Sequence, residues 1–327
     1  MYKIQRYRTA KTFLESISPL NDSFTENFRS YIFRGQGDSK WGLLPSIFRS
    51  STPIPYKGLR RGPMSTFGAQ REMEWDVLCA FIKEANANGF HFPDEQVIYR
   101  VLGGWSNIQE GNRILRHETV WPDVEYLSLL ALAQHYGLPT RLLDWSYNSY
   151  VAAFFAAKQC IAELESGKKV KNLSVFALNP NWSEFKELSE LPKVHEEIYN
   201  AGKASVEFQV VTPPTYFNAH LMAQKGVFTC QHEFGNIKNY DFTPICLKEF
   251  IKLSEIKANE NNDIDGNDTF RKMSAMVSRI NGTVLYEYTL PSSKARELLH
   301  YLDKLGVNSS SLFPSLDGCI GTLYDRV

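Results

Sequence analysis

The stretch that most constrains this chain is Leu127-Ser128-Leu129-Leu130-Ala131-Leu132-Ala133-Gln134-His135-Tyr136, a helix-forming run with no charge after Glu125 that stops at Gly137-Leu138-Pro139. A helix that is apolar on nearly every side has to be buried on most of them. It is too short to cross a bilayer, which takes roughly 20 residues. It therefore predicts a large globular core, and 327 residues are enough to build one. After the stop comes Thr140-Arg141-Leu142-Leu143-Asp144-Trp145, which predicts an extended piece. Alternation puts Arg141 and Leu143 on one face of it and Leu142 and Asp144 on the other, so Arg141 and Asp144 are not expected to pair.

Other elements can be placed around this one. Residues 25–49 read as a strand ending near Arg34, a turn through Gly35-Gln36-Gly37-Asp38 whose glycines allow positive φ, and an apolar stretch closed by Leu44-Pro45-Ser46. Residues 50–63 read as a loop. A helix is expected from about Ser65 to Asn86, with a second one before residue 123, where Asp123 caps the apolar helix. Ser146 or Asn148 caps a further helix through Val151, Ala152, Phe154, Phe155 and Ala156, whose alanines suit close packing on a sheet. Strands are expected at Leu173–Leu178, Val206–Val211, Val227–Thr229 and Thr283–Leu290. Pro291 opens a final helix ending at Gly306, and the Asn/Asp-rich segment Lys257–Asp268 reads as a mobile surface loop. Without regular β-α-β alternation the fold class is α+β, a single mixed sheet flanked by helices.

Composition excludes several functions. Lys plus Arg and Asp plus Glu are both 36, so no strong field for steering nucleic acid or an anionic membrane is expected. The basic N-terminus leads into no apolar segment of a signal peptide, which predicts a soluble, cytoplasmic protein. Five scattered cysteines with no Cys-x-x-Cys predict free thiols, with no disulfide framework and no metal site. Cys230 near His232 is the closest approach to a catalytic Cys–His pair. P-loop, dinucleotide-binding Gly-x-Gly-x-x-Gly, zincin and Gly-x-Ser-x-Gly patterns are absent.

Two segments carry chemistry. Tyr31-Ile32-Phe33-Arg34-Gly35-Gln36 sets an arginine in an apolar strand, where burial demands an anion. That anion is either an internal carboxylate such as Asp144 or a phosphate or carboxylate of a ligand. Gln134 to Ser146 gathers an imidazole, a phenol, a hydroxyl, a guanidinium, a carboxylate and an indole on a rigid frame, which suits a ligand site. The same residues can also serve structure, with His135 and Tyr136 at a helix end and Trp145 in the core.

These segments resemble the FRG domain family, named for the motif that stands here as Phe33-Arg34-Gly35. The similar blocks are Phe33–Gln36, Trp41 to Leu44-Pro45-Ser46, His135 to Trp145 and Ala152 to Ala156, with Gln224–Phe228 and Leu312–Gly318 farther on. The resemblance implies one domain over 1–327, with a motif-bearing core at about 25–235 and a C-terminal strand-helix element at 275–327, in a bacterial or phage-associated protein. A second likeness is to ADP-ribosyltransferases of the arginine-serine-glutamate class, in which an aromatic-Arg-Gly strand holds the phosphates of NAD. Arg34, and Thr140 or Ser146 ahead of Ala152–Ala156, are similar to two of that class's elements. At the third, Gln224-Lys225-Gly226 has glycine where the catalytic glutamate would stand, which leaves Asp144, Glu233 or Glu287 to replace it.

The resemblances together imply a nucleotide-handling effector, ADP-ribosyltransferase-like or NAD-consuming, with a toxin or phage-defence role. The rival is a non-catalytic module that senses a ligand or a protein. In the first case NAD is the candidate substrate, no cofactor or metal is required, and a protein target is conceivable. Asp144, His135 and Tyr136 are then the candidate catalytic groups, and Arg34, Gln36, Thr140, Arg141, Trp145 and Gln224 the candidate ligand-binding ones. Arg34 would clamp phosphate, Tyr136 or Trp145 would stack on a ring, and Asp144 would polarise the ribose.

Overall fold

The computed structural model describes residues 2–21, 24, 31–92, 95–116, 119–180, 205–212, 219–234, 238–252 and 283–326. The chain opens with β1 (Tyr2–Arg6) and α1 (Ala10–Ser16), then β2 (Ile32–Gln36) and a hairpin of β3 (Pro53–Pro55) and β4 (Leu59–Arg61). Four helices follow: α2 (Phe67–Ala87), α3 (Glu95–Leu102), α4 (Gly104–Leu115) and α5 (Leu127–His135). Next come β5 (Leu142–Ser146), α6 (Ser149–Glu165), β6 (Asn172–Leu178), β7 (Ser205–Val211), α7 (Ala219–Ala223) and β8 (Gly226–Phe234). The chain closes with β9 (Leu285–Pro291), α8 (Ala295–Lys304), α9 (Ser309–Leu312) and α10 (Leu316–Asp325).

Seven of these strands form one sheet in the order β1-β9-β6-β2-β5-β8-β7. The strand β1 runs parallel to β9 and the other neighbours are antiparallel, so the sheet is mixed and the α+β expectation holds. Alternation along β2 sends Ile32 into the core on one face, with Leu43, Phe48 and Phe67, and Phe33 into the core on the other, beneath α6 and α8. A third apolar cluster joins α2 to α5 with Leu142, Phe228 and Cys230. The apolar helix α5 is buried at Leu127, Leu129, Leu130, Ala131 and Ala133, as its lack of charge requires. It ends in a left-handed Gly137 (φ 91°). Gly137 N donates to Gln134 O and Leu138 N to Ala133 O, the paired bonds of a Schellman stop.

The motif glycines act differently from the expected turn. Neither Gly35 nor Gly37 has positive φ, and the strand continues through Gln36 rather than ending at Arg34. What requires them is the close approach of α6. A Cβ on Gly35 would lie 1.9 Å from Ala152 O and 2.7 Å from Ala156 N, and one on Gly37 would lie 2.7 Å from Cys160 N. The small Ala152 and Ala156 of the helix meet a strand position with no side chain, so backbone packs on backbone. Gly35→Ala should therefore separate β2 from α6 and cost about 2–3 kcal/mol, read as a lowered urea midpoint. A midpoint unchanged from that of the parent protein would contradict this packing account.

Other boundaries shift for local reasons. Thr66 caps α2, and Asp123 caps a single 3-10 turn (Val124–Tyr126) that leads into α5. Asn148, not Ser146, caps α6, because the Ser146 hydroxyl is committed to Gln224 O. The 50–63 segment is not a plain loop but holds the β3–β4 hairpin. Two helices fill 95–115, β8 runs on to Phe234, and α9 and α10 follow the helix expected to be last. Lys257–Asp268 lies outside the described residues, as does the 275–282 part of the C-terminal element. Among the described residues no helix is long and apolar enough to cross a membrane.

Candidate functional site

The sheet is open at its centre. Between β2 and β6 every residue from Ile32 to Gln36 has a partner, but between β2 and β5 pairing is confined to Phe33 opposite Ser146. Beyond that pair the strands diverge and leave a slit bounded by Arg34–Gln36 and Leu142–Trp145. The Arg34 side chain lies in this slit. Its Nη1 donates to the Asp144 backbone carbonyl at 2.6 Å, a side-chain bond where a ladder bond is missing. The same nitrogen stands 3.5 Å from Asp144 Oδ2.

Two clefts meet at Arg34. The larger, of about 790 Å³, is lined by Arg34, Gln36, Trp41, Arg49, Gln159 and Lys169 among others. The smaller, of about 240 Å³, is lined by Arg34, Asp144, Ser146, Phe155, Gln159 and Gln224 among others. Both volumes together fit a ligand of nucleotide size. The Trp41 to Ser46 block builds the wall of the larger cleft. Gly42 O accepts from Gln36 Nε2 at 3.0 Å and Leu44 O from Arg49 Nε at 2.8 Å, which fixes both side chains.

Electrostatically the cations of the two clefts outnumber the anions, Arg34, Arg49, Lys168 and Lys169 against Asp38, Asp144 and Glu163. The Arg34 side chain is 11% exposed, its Nε is buried without an acceptor, and burial lowers its pKa against the opposing pull of Asp144. Arg49 is pushed down to about 10, first by burial and then by the like charge of Arg34. Asp144 does not offset this fully, because its side chain is 63% exposed and also accepts from Gln134 Nε2. Gln36 Oε1 is a second buried atom without a partner. A guanidinium with its Nε unpartnered beside an unmatched acceptor suits a ligand with an anionic group next to a hydroxyl or amine donor.

The structure brings Arg34, Gln36, Asp144, Trp145 and Gln224 to the lining of these clefts and sends other candidates elsewhere. Arg141 is fully buried, with Nε donating to Glu74 Oε2 at 2.6 Å, Nη2 to Glu74 Oε1 at 2.7 Å and Nη1 to Gln231 O at 3.0 Å. Its Nη2 also stands 3.0 Å from Glu233 Oε1. It cannot meet a ligand, and as alternation predicted it does not pair with Asp144. Trp145 lines the smaller cleft, but it is only 3% exposed, its indole donates to Thr229 Oγ1 at 2.9 Å and it packs in the core, so it offers little ring face for stacking. Thr140 is buried, donating to Gln134 Oε1 and accepting from Leu142 N, and so holds the entry to β5. His135 and Tyr136 end α5 outside the lining of either cleft. The His135 ring faces His220 at 5.1 Å, and its pKa is lowered by burial and then by that neighbour.

Two of the carboxylates considered as replacements are already engaged. Glu233 is fully buried against Arg141 and Arg71, and Glu287 is held by Lys248 Nζ at 2.7 Å and by the Tyr2 hydroxyl. A Cβ at Gly226 would lie 2.1 Å from Leu221 Cδ1, so a carboxylate there would need the Leu221 side chain to move. Asp144 alone of these faces the site. Cys230 is buried, and burial pushes its thiol far up, while His232 is pushed down to about 4 by burial with Nδ1 on Pro122 O. A protonated thiol beside a neutral, committed imidazole is not a nucleophile pair. Among the described residues no group of three or more His, Cys, Asp or Glu could hold a metal ion.

Sequence reasoning missed Arg49, Gln159, Phe155 and Gln134. Phe155 and Gln159 lie one turn apart on the α6 face toward the slit, a spacing that could have flagged them. Arg49 sits next to the segment read as a loop and gave no signal.

Fold and site together define a mixed α+β protein with a cleft at Arg34, where pairing in its central sheet is interrupted. Residues 29–164 match the FRG domain family. No curated protein matches the chain, and neither does any solved structure. The matched segment contributes β2 and β5 to the sheet, while β6, which pairs with all of β2, and β8, which pairs with all of β5, lie beyond it. The Gln224–Phe228 and Leu312–Gly318 blocks also lie beyond it, although Gln224 reaches the smaller cleft.

Proposed function

We propose that the cleft at Arg34 binds a nucleotide-like ligand whose phosphate is held by Arg34, in a bacterial or phage-associated effector for which NAD is the first substrate to test. The observation that carries this reading is the Arg34 guanidinium, nine-tenths buried in the slit with Nε unpartnered and one exposed carboxylate for company. In this reading Phe155 in the smaller cleft offers a ring face to a base or nicotinamide, and Gln224 and Ser146 offer polar contacts beside it. Asp144 is the carboxylate placed to stabilise positive charge on a ribose.

The non-catalytic rival draws on a specific observation. Asp144 is engaged by Arg34 and Gln134, and position 226 is a glycine, so a ligand can be bound here without the carboxylate that ribosyl transfer needs. Calorimetric titration of NAD, ADP-ribose and AMP into the purified chain, with nicotinamide release followed in parallel, separates the two. Binding in the micromolar range with nicotinamide release supports the enzyme. Binding without release supports the sensing module, and heat-silent titrations of all three ligands remove the nucleotide reading.

A further inference from the structure

The larger cleft carries an excess of positive charge, and two of its cations are arginines on one wall. Its charged lining is Arg34, Arg49, Lys168 and Lys169 against Asp38 and Glu163, which is four cations to two anions and a net +2. Lys168 and Glu163 pair with each other at 2.7 Å, so the excess belongs to Arg34, Arg49 and the rim residue Lys169. Arg49 makes a hydrogen bond to Leu44 O, and among the described residues it has no ion pair. An anion confined to Arg34 would leave this second guanidinium, half-buried and stationed on the same wall, without a counter-charge.

Resting on the ligand reading above, we propose that Arg34 and Arg49 together form a diphosphate site, so that the ligand is a nucleoside diphosphate or a dinucleotide rather than a monophosphate. One phosphate takes the guanidinium in the slit, and the next takes Arg49 along the larger cleft. Gln36 Oε1, buried between the strand and the Gly42 carbonyl that fixes its amide, accepts from a sugar hydroxyl. The base then occupies the smaller cleft across Arg34, beside Phe155.

The test is calorimetric titration of the full chain with AMP, ADP, inorganic phosphate and pyrophosphate. ADP should bind about ten-fold or more tightly than AMP, since each charge-assisted bond is worth about that factor. Arg49→Gln should bring the ADP-to-AMP ratio toward one, and Arg49→Lys, which keeps charge but loses the fork, should fall between. If Arg49→Gln does not melt cooperatively, the ratio in Arg49→Lys decides in its place. Equal affinities for AMP and ADP, or a ratio indifferent to Arg49, overturn the diphosphate site while leaving a nucleotide at Arg34. Pyrophosphate binding with no nucleotide binding has the opposite meaning: the paired arginines stand and the nucleotide reading falls. Silence toward all four probes removes both.

Discussion

Arg141→Met should leave the protein close to unfolded at ordinary temperature. Arg141 sits in a quartet with Arg71, Glu74 and Glu233 in which all four side chains are buried, two positive and two negative. The fork of Arg141 bonds both oxygens of Glu74, and Glu74 also accepts from Trp121 Nε1 at 3.1 Å and from Gln70 Nε2 at 2.7 Å. Arg71 stands 3.6 Å from Glu233 Oε2 and donates to Ile114 O and Thr119 O. The quartet thus ties α2 to β5 and β8 through charges that have no water to fall back on. Removing one cation leaves two carboxylates facing one guanidinium, which costs about 3–5 kcal/mol, a large part of an ordinary domain's stability.

Arg141→Lys should be nearly as damaging, because a point charge cannot give both Nε and Nη2 to Glu74. The double variant Arg141→Met with Glu74→Leu restores charge balance, leaving Arg71 with Glu233, and should recover part of the loss. Recovery is incomplete because Trp121 Nε1 and Gln70 Nε2 lose their acceptor. Urea unfolding followed by far-ultraviolet circular dichroism reads all three. An Arg141→Met variant with an ordinary midpoint, or a double variant no better than the single, would show that charge pairing is not what holds this corner.

Arg34 and Arg141 show what a sequence of this kind reveals and what it hides. Both are single arginines in short extended segments, and locally nothing distinguishes a ligand clamp from a structural fork. What separates them is distant: Glu74 lies 67 positions before Arg141 and meets it through α2, while Arg34 meets an Asp144 that is itself exposed. Alternation did show that Arg141 and Asp144 point apart, because period two survives any tertiary context. The alanine face of α6 foretold close packing on a strand. That Gly35 is the strand's reciprocal surface required the helix to be laid on β2, since a glycine needed for proximity looks in sequence like one needed for a turn. The edge strand β1 was illegible for another reason: its partner β9 is near the opposite end of the chain, and its own residues lie half exposed. Arg49 was hidden because it adjoins a stretch whose prolines and glycines read as loop, though the Leu44 carbonyl holds it as firmly as a strand would.

Arg34→Ala should separate binding from stability, unlike Arg141→Met. The carboxylate it leaves behind belongs to Asp144, whose side chain is 63% exposed and keeps its bond from Gln134, so no charge is stranded in low dielectric. The structural loss is the hydrogen bond to the Asp144 carbonyl across the slit and some packing, about 1–2 kcal/mol. The ligand loses a preformed, desolvated guanidinium, worth about 3–5 kcal/mol of binding for a bidentate phosphate contact, a fall of more than a hundred-fold. Arg34→Lys retains charge without the fork or the reach to the Asp144 carbonyl and should recover only a small part of that affinity. The pair Arg34→Met with Asp144→Leu supplies the control. Were Arg34 there mainly to neutralise a buried Asp144, the double variant would be markedly more stable than Arg34→Met alone. Because Asp144 is solvated, the two should melt within about 0.5 kcal/mol of each other, in the range of ordinary surface changes. Melting curves for these four variants, beside titrations with NAD and ADP, decide between the roles. A collapse of Arg34→Ala that the double variant rescues would make Arg34 a structural residue and remove the main support for a ligand in the slit.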